Sequence, residues 1–486
     1  MKKKFCVWAM AAAAATSLLF GAVADRGGGE PEQVAHSIRA GDLFDLTRVL
    51  ASPEMEGRLA GSPGYLRAAR WAAARFKEWG LDPVLADYLQ NFEVDYNETG
   101  ESAFELILPA REGSAQAETR PLAAYRDYCP PLYSGFGEAE GEVVFAGFGI
   151  TAPELGWDDY GALEARGKIV ALVQGVPEVQ GKDFSPYLPR QHRLRNAARH
   201  GAVGLILIQM PVISGAGVYV EGLPMVMTGE EQVQPLFSGK GYDLRTVRAL
   251  LRDGRPLAFA TGVRARIRTS GVHHSRAQAC NVLGLVKGSD PLLWKDPIIL
   301  GGHLDGIGRW PRLYPGANDN ASGSAIILAL GRAFAALKKK PKRSIMLALF
   351  GAEELGLLGS RHLAQNLPGR LSKPAWMVNF DMNGSGNKLQ VSGGRSFPEL
   401  FTLLEKVNGE YSILETMTAS EITAVGGNSD YAPFLEMGIP AYANWVAGGA
   451  RGGVHSPDDS IYAITPQIME DVARLYFLAV YGLADR

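Results

Sequence analysis

The run Ile298-Ile299-Leu300-Gly301-Gly302-His303-Leu304-Asp305 is a short apolar segment that ends on a histidine and a carboxylate. The pattern recurs twice downstream. Ile345-Met346-Leu347-Ala348-Leu349-Phe350 passes into Gly351-Ala352-Glu353-Glu354, and Trp376-Met377-Val378-Asn379-Phe380 passes into Asp381. Each apolar run reads as a buried strand, and helix-period stretches over 322–337 and 357–366 lie between them. Apolar strands alternating with helices predict an α/β domain whose mostly parallel central sheet is flanked by helices and buried on both faces. In such sheets ligands bind just beyond the carboxyl ends of the strands. All three strands end there on residues that bind metals.

Two further segments add to the set. Gly316-Ala317-Asn318-Asp319-Asn320-Ala321-Ser322-Gly323 presents Asp319 in a turn before a helix that Ser322 is expected to cap, and Gly452-Gly453-Val454-His455 puts a second histidine in a glycine-rich loop. Taken singly, each residue has a plainer reading: His303 as a core histidine, Asp319 as a turn residue, His455 as a loop residue, Glu353-Glu354 as a surface pair like Glu230-Glu231. Taken together they converge on one sheet edge. Strand periodicity puts Asp305 on the same side as His303, where its carboxylate can orient the imidazole. Imidazole and carboxylate donors without a thiolate favour zinc, ahead of manganese or cobalt. The number of donors implies two ions about 3.5–4 Å apart, with one carboxylate between them.

The rest of the 486 residues bound the answer. With 49 Lys+Arg against 51 Asp+Glu and 47% hydrophobic residues, the composition is that of a folded globular chain, and it lacks the basic excess of a nucleic-acid binder. Residues 1–24 begin with Lys2-Lys3-Lys4, continue apolar over 5–19 and reach Ala22-Val23-Ala24, which reads as an export signal cut after Ala24. The apolar stretch is short for a membrane span, so no stable membrane insertion is expected after cleavage. Cys129 and Cys280 remain, either as two buried thiols or as a staple across the base of an insert; they do not form a disulfide framework. Between them, short β-like runs at 143–148, 168–173 and 203–209 predict a small mixed-β domain over 130–270. The remainder divides into 25–129 and 271–486 as the two parts of the main domain.

In order along the chain, these motifs resemble the co-catalytic zinc aminopeptidases of the aminopeptidase Y and bacterial leucyl aminopeptidase type. Gly302-His303-Leu304-Asp305 resembles the family's His-x-Asp, Asp319-Asn320-Ala321-Ser322-Gly323 its bridging loop, and Glu353-Glu354 its acidic pair. Asp381 and His455-Ser456-Pro457-x-Asp459 resemble its last two ligand segments. The resemblance implies a zinc exopeptidase fold with two Zn2+ per chain: His303 and Asp381 on one ion, Glu354 and His455 on the other, Asp319 bridging. It also implies Glu353 as general base and Asp305 as the residue that orients His303. Glu54-Met55-Glu56-Gly57-Arg58 resembles the start of the peptidase domain in bacterial members. Val144-Phe145-Ala146-Gly147-Phe148-Gly149-Ile150 with Gly167-Lys168-Ile169-Val170 resembles a protease-associated domain, with a helix expected over 193–200.

The expected reaction is hydrolysis of the N-terminal peptide bond of peptides with a free N-terminus, through a metal-bound hydroxide from which Glu353 takes the proton. Tyr431, Phe434 and Trp445 are candidates for the apolar wall of the substrate pocket, or are simply core. A carboxypeptidase of the glutamate-carboxypeptidase branch shares the ligands and the insert but carries a long helical domain after its last histidine, where 31 residues follow His455 here. A glutaminyl cyclase would use a single zinc. An inactive binding relative would be expected to have lost ligands.

Overall fold

The apolar segments that lead to His303, Glu353 and Asp381 are adjacent parallel strands. In the computed structural model, which describes residues 29–110, 116–209, 215–423, 427–449 and 453–486, Ile298–His303 lies between Ile345–Phe350 and Trp376–Phe380. Ala441–Gly448 extends the parallel set on the far side of Trp376–Phe380. The register sets Ile298 opposite both Ile345 and Trp376, so the carboxyl ends of the strands reach one edge together.

Side chains alternate between two apolar layers, as the two-residue strand period requires. Ile298, Leu300, Ile345 and Leu347 pack into the larger core with the helices Pro63–Glu78, Gly323–Ala336 and Pro466–Ala484. Ile299, Met346 and Phe350 face the opposite way, against Leu363 of the helix Leu358–Gln365 and Phe434 of the helix Ala432–Glu436. Burial on both faces explains why these strands are continuously apolar.

Ser322 does not cap the helix that follows it. The helix starts at Gly323, and the Ser322 hydroxyl donates to Asn318 O (2.8 Å) while accepting from Asn383 N–H (3.1 Å), which joins two site loops. The helix Pro63–Glu78 is capped instead by a true side-chain acceptor, Ser62, which accepts from Tyr65 N–H.

The sheet continues through the long strand Ala258–Val286, antiparallel to Ile345–Phe350 at one end and to Gly137–Ala146 at the other, with Leu89–Leu108 along its length. Beyond it, Gly137–Ala146, Ile169–Val173, Gly204–Ile208 and Met225–Thr228 run parallel. They pack into two further apolar clusters, shared with residues such as Phe104 in one and Trp310 in the other, and against the helix Arg190–Arg199. Residue 270 lies within Ala258–Val286, at a shift in its register with Leu89–Leu108, and the same strand pairs in both parts of the sheet. Cys129 and Cys280 are buried and free, so no staple joins them. The export signal expected at 1–24 lies outside the described residues. Among those described, no helix is long and apolar enough to cross a membrane.

Candidate metal centre

His303 is the last residue of its strand and is almost wholly enclosed. Its carbonyl accepts from the Ser324 hydroxyl (2.7 Å), which ties the strand end to the helix beside it. The preceding residue must be glycine. A Cβ on Gly302 would stand 2.3 Å from Phe380 O, where the neighbouring strand delivers Asp381.

Asp319 occupies a turn, Ala317–Ser322, that the Asp459 side chain holds from outside and two of its own asparagines tie to neighbouring segments. The Asp459 carboxylate accepts the N–H groups of Asn318 (2.7 Å) and Asp319 (2.9 Å). Asn320 donates to Phe380 O, and Asn318 Oδ1 accepts from Gly384 N–H, both at 2.8 Å. The Asp319–Asn320 peptide is cis.

So held, the Asp319 carboxylate divides itself between two histidines. Oδ1 lies 3.2 Å from His303 Nε2 and Oδ2 lies 3.3 Å from His455 Nε2. His303 Nε2 is also 3.5 Å from Asp381 Oδ1, and His455 Nε2 is 3.0 Å from Glu354 Oε2. Donor atoms of His303, Asp319 and Asp381 lie within 4.8 Å of one another, and so do those of Asp319, Glu354 and His455. The two triads share only Asp319. A third grouping of the same size joins His303, Glu353 and Glu354.

Supporting contacts reach the outer donors as well. Ser429 donates to Asp381 Oδ2 (2.6 Å) and accepts from Asn379 Nδ2 (2.7 Å), so a buried serine aims the Asp381 carboxylate. Both carboxylate oxygens of Asp305 accept main-chain N–H groups, from Glu353 (3.1 Å) and Glu354 (3.2 Å). The His303 imidazole is farther from that carboxylate, with Nδ1 3.8 Å from Asp305 Oδ1 and 3.3 Å from Asp305 O.

The electrostatics call for positive charge. Burial drives the Glu353 carboxyl well above its ordinary range, with Glu354, Asp430 and Asp381 adding to the rise. Burial likewise pushes Asp305 and Asp430 up to about 7. For the histidines burial acts in the opposite direction, yet Glu354 and Asp319 outweigh it and hold the His455 imidazole up to about 12. His303 is raised in the same way by Glu353, Asp319 and Asp381. Glu354 Oε1 is buried with no hydrogen-bond partner, a costly condition for a carboxylate oxygen unless a cation satisfies it. An enclosed, oxygen-rich set of donors with two imidazoles therefore fits one or two divalent ions of zinc type.

The structure brings together all seven residues singled out by sequence: His303, Asp305, Asp319, Glu353, Glu354, Asp381 and His455. Of the pocket-wall candidates, Phe434 is fully buried against Phe350 in the core. Tyr431 packs partly buried against the same cluster. Sequence reading missed the tasks of Asp459, Asn320 and Ser429. Asp459 and Asn320 stand in motifs already quoted, and only the fold shows which segments they hold.

The chain is 26% identical over 99% of its length to aminopeptidase YwaD of Bacillus subtilis, covering 94% of that protein. Its fold matches an aminopeptidase from Aneurinibacillus sp. strain AM-1 with a TM-score of 0.65 at 22% identity, over 93% of this chain and 96% of that one. It also matches a zinc aminopeptidase from Bacillus subtilis with a TM-score of 0.61 at 22% identity, over 92% and 96%. Residues 281–480, which carry all seven of these side chains, match the sequence model of peptidase family M28.

Proposed function

We propose that the chain is an exported di-zinc metallo-aminopeptidase. The observation that carries this reading is the split Asp319 carboxylate, one oxygen toward each of two histidines that have separate acidic partners. His303 and Asp381 would hold one ion, Glu354 and His455 the other, and Asp319 both. Bound there, zinc supplies Lewis acidity and makes a water acidic enough to attack at neutral pH.

The protein's own groups do the rest. Glu353 takes the proton of the attacking water and passes it to the leaving amine, a task suited to a carboxyl raised by burial. Asp305 fixes the main chain of Glu353, and Ser429 fixes Asp381. The acidic surroundings suit a free α-ammonium group on the substrate, in keeping with the named activity of the YwaD relative. The segment 130–270 is read as an inserted protease-associated domain, supported by an apolar cluster drawn mostly from its own residues, with Phe104, Leu106, Leu122 and Tyr128 joining it. Export rests on the pattern of residues 1–24.

Hydrolysis of aminoacyl-p-nitroanilides, set against the same compounds with acetylated amines, tests the reading. Turnover of the free amines alone supports it. Preference for blocked substrates with a C-terminal glutamate would replace it with the carboxypeptidase.

A further inference from the structure

Arg58 is fully buried, yet among the described residues its guanidinium lies within ion-pair distance of no carboxylate. Its guanidinium donates to four main-chain carbonyls: Nε to Leu304 O (2.8 Å), Nη1 to Leu50 O and Pro315 O (both 2.7 Å), and Nη2 to Gly316 O (2.9 Å). Leu304 lies between His303 and Asp305. Gly316 opens the turn that carries Asp319. One side chain thus spans the two loops whose ligands meet across 3.2 Å.

The main chain around it is shaped for this task. Arg58 itself has a positive φ of 56°, and its carbonyl accepts from Gly306 N–H at 3.1 Å. At Gly57, φ is 69° and a Cβ would stand 2.3 Å from Gly308 O, so only glycine lets the segment approach the loop so closely. Burial lowers the guanidinium only to about 10, with Asp459, Asp305, Asp319 and Glu354 opposing the fall, so it remains charged at neutral pH. A desolvated charge is costly unless its donors are engaged. Here three of the four engaged acceptors, Leu304 O, Pro315 O and Gly316 O, are backbone of the ligand loops, and the fourth, Leu50 O, ends the helix Ala40–Leu50.

We propose that Arg58 is a positioning residue of the metal centre, which holds the His303 loop and the Asp319 turn at the separation where the two ligands can share an ion. This inference rests on the two-zinc reading. Lysine keeps the charge but, as a compact point charge, cannot reproduce the planar fork that reaches four carbonyls. Methionine keeps the length and loses the charge.

The test uses the full-length protein, freed of metal, in wild-type, Arg58→Lys and Arg58→Met forms. Zinc affinity is read by competition with a chromophoric chelator, and ligand geometry by the visible absorption of the cobalt(II) forms. We expect folded variants, judged by circular dichroism, to lose about 10-fold or more in affinity. Arg58→Lys should lose less than Arg58→Met, and the cobalt spectrum should change in both. Wild-type affinity and spectrum in a folded Arg58→Met protein would overturn the proposal. Failure of both variants to fold would also overturn it, by making Arg58 a residue that holds the fold alone. A wild-type protein that binds no zinc would instead strike the two-zinc reading, and this inference with it.

Discussion

The carboxylate of Asp305 accepts the backbone N–H of Glu353 at 3.1 Å. Its second oxygen takes the N–H of Glu354 at 3.2 Å, so a side chain just past the end of one strand fixes the acidic pair that follows the next. This is an electrostatic brace between adjacent strand ends, and it makes the position of the proposed base depend on a fully buried carboxylate.

Replacing Asp305 with Asn would turn one of these two acceptors into a donor facing an N–H group. Loosening of the Glu353-Glu354 segment should lower kcat about 10–100-fold, the usual scale for contacts that support ligands, with both zinc ions retained. Steady-state kinetics beside metal analysis reads this. An unchanged kcat would show that the brace is not needed for turnover.

Glu353 and His455 should separate cleanly. Glu353→Gln keeps the size of the side chain and removes its basicity, so kcat should fall by about 10^2–10^4, the range for a general acid-base group, while metal content stays at the wild-type level. His455→Ala removes a donor and should lower zinc content itself. A fully active Glu353→Gln protein, or normal stoichiometry in His455→Ala, would strike the corresponding role.

Much of this site is legible in the sequence, because the ligands follow directly on apolar strands whose period and length are plain. Ile298–His303, Ile345–Phe350 and Trp376–Phe380 are buried on both faces, so their ends deliver His303, Glu353 and Asp381 to one edge. What was not legible depends on contacts between distant segments. Asp305 follows a strand end, and periodicity sets it beside His303, but the neighbouring strand offers two unpaired N–H groups and the carboxylate turns to them. Ser322 has the sequence signature of a cap, yet Asn318 and Asn383 claim its hydroxyl. Arg58 comes 246 residues before the Leu304 carbonyl it grips, a separation that no local pattern encodes. Phe434, a candidate pocket wall, lies instead against Phe350 because its short helix covers the far face of the sheet.

Metal binding should release protons. In the metal-free protein the His455 imidazole is held from its ordinary 6.5 up to about 12, and His303 is raised too. Their protonation therefore stabilises the metal-free fold fully below pH 6.5, and that contribution is lost as pH rises through the raised folded values. Zinc takes only neutral imidazole, so at pH 7 binding should expel about two protons and apparent affinity should rise with pH. Calorimetric titration in buffers of different ionisation enthalpy measures the number. Binding heats independent of the buffer would contradict the ionisation described for the two histidines.

The most direct test of the central claim is a zinc titration of the metal-free protein with leucyl-p-nitroanilide turnover followed at each addition. The two-ion reading predicts no turnover without metal and full turnover only as zinc reaches two per chain. Full turnover at one zinc per chain, or in the metal-free protein, would contradict it.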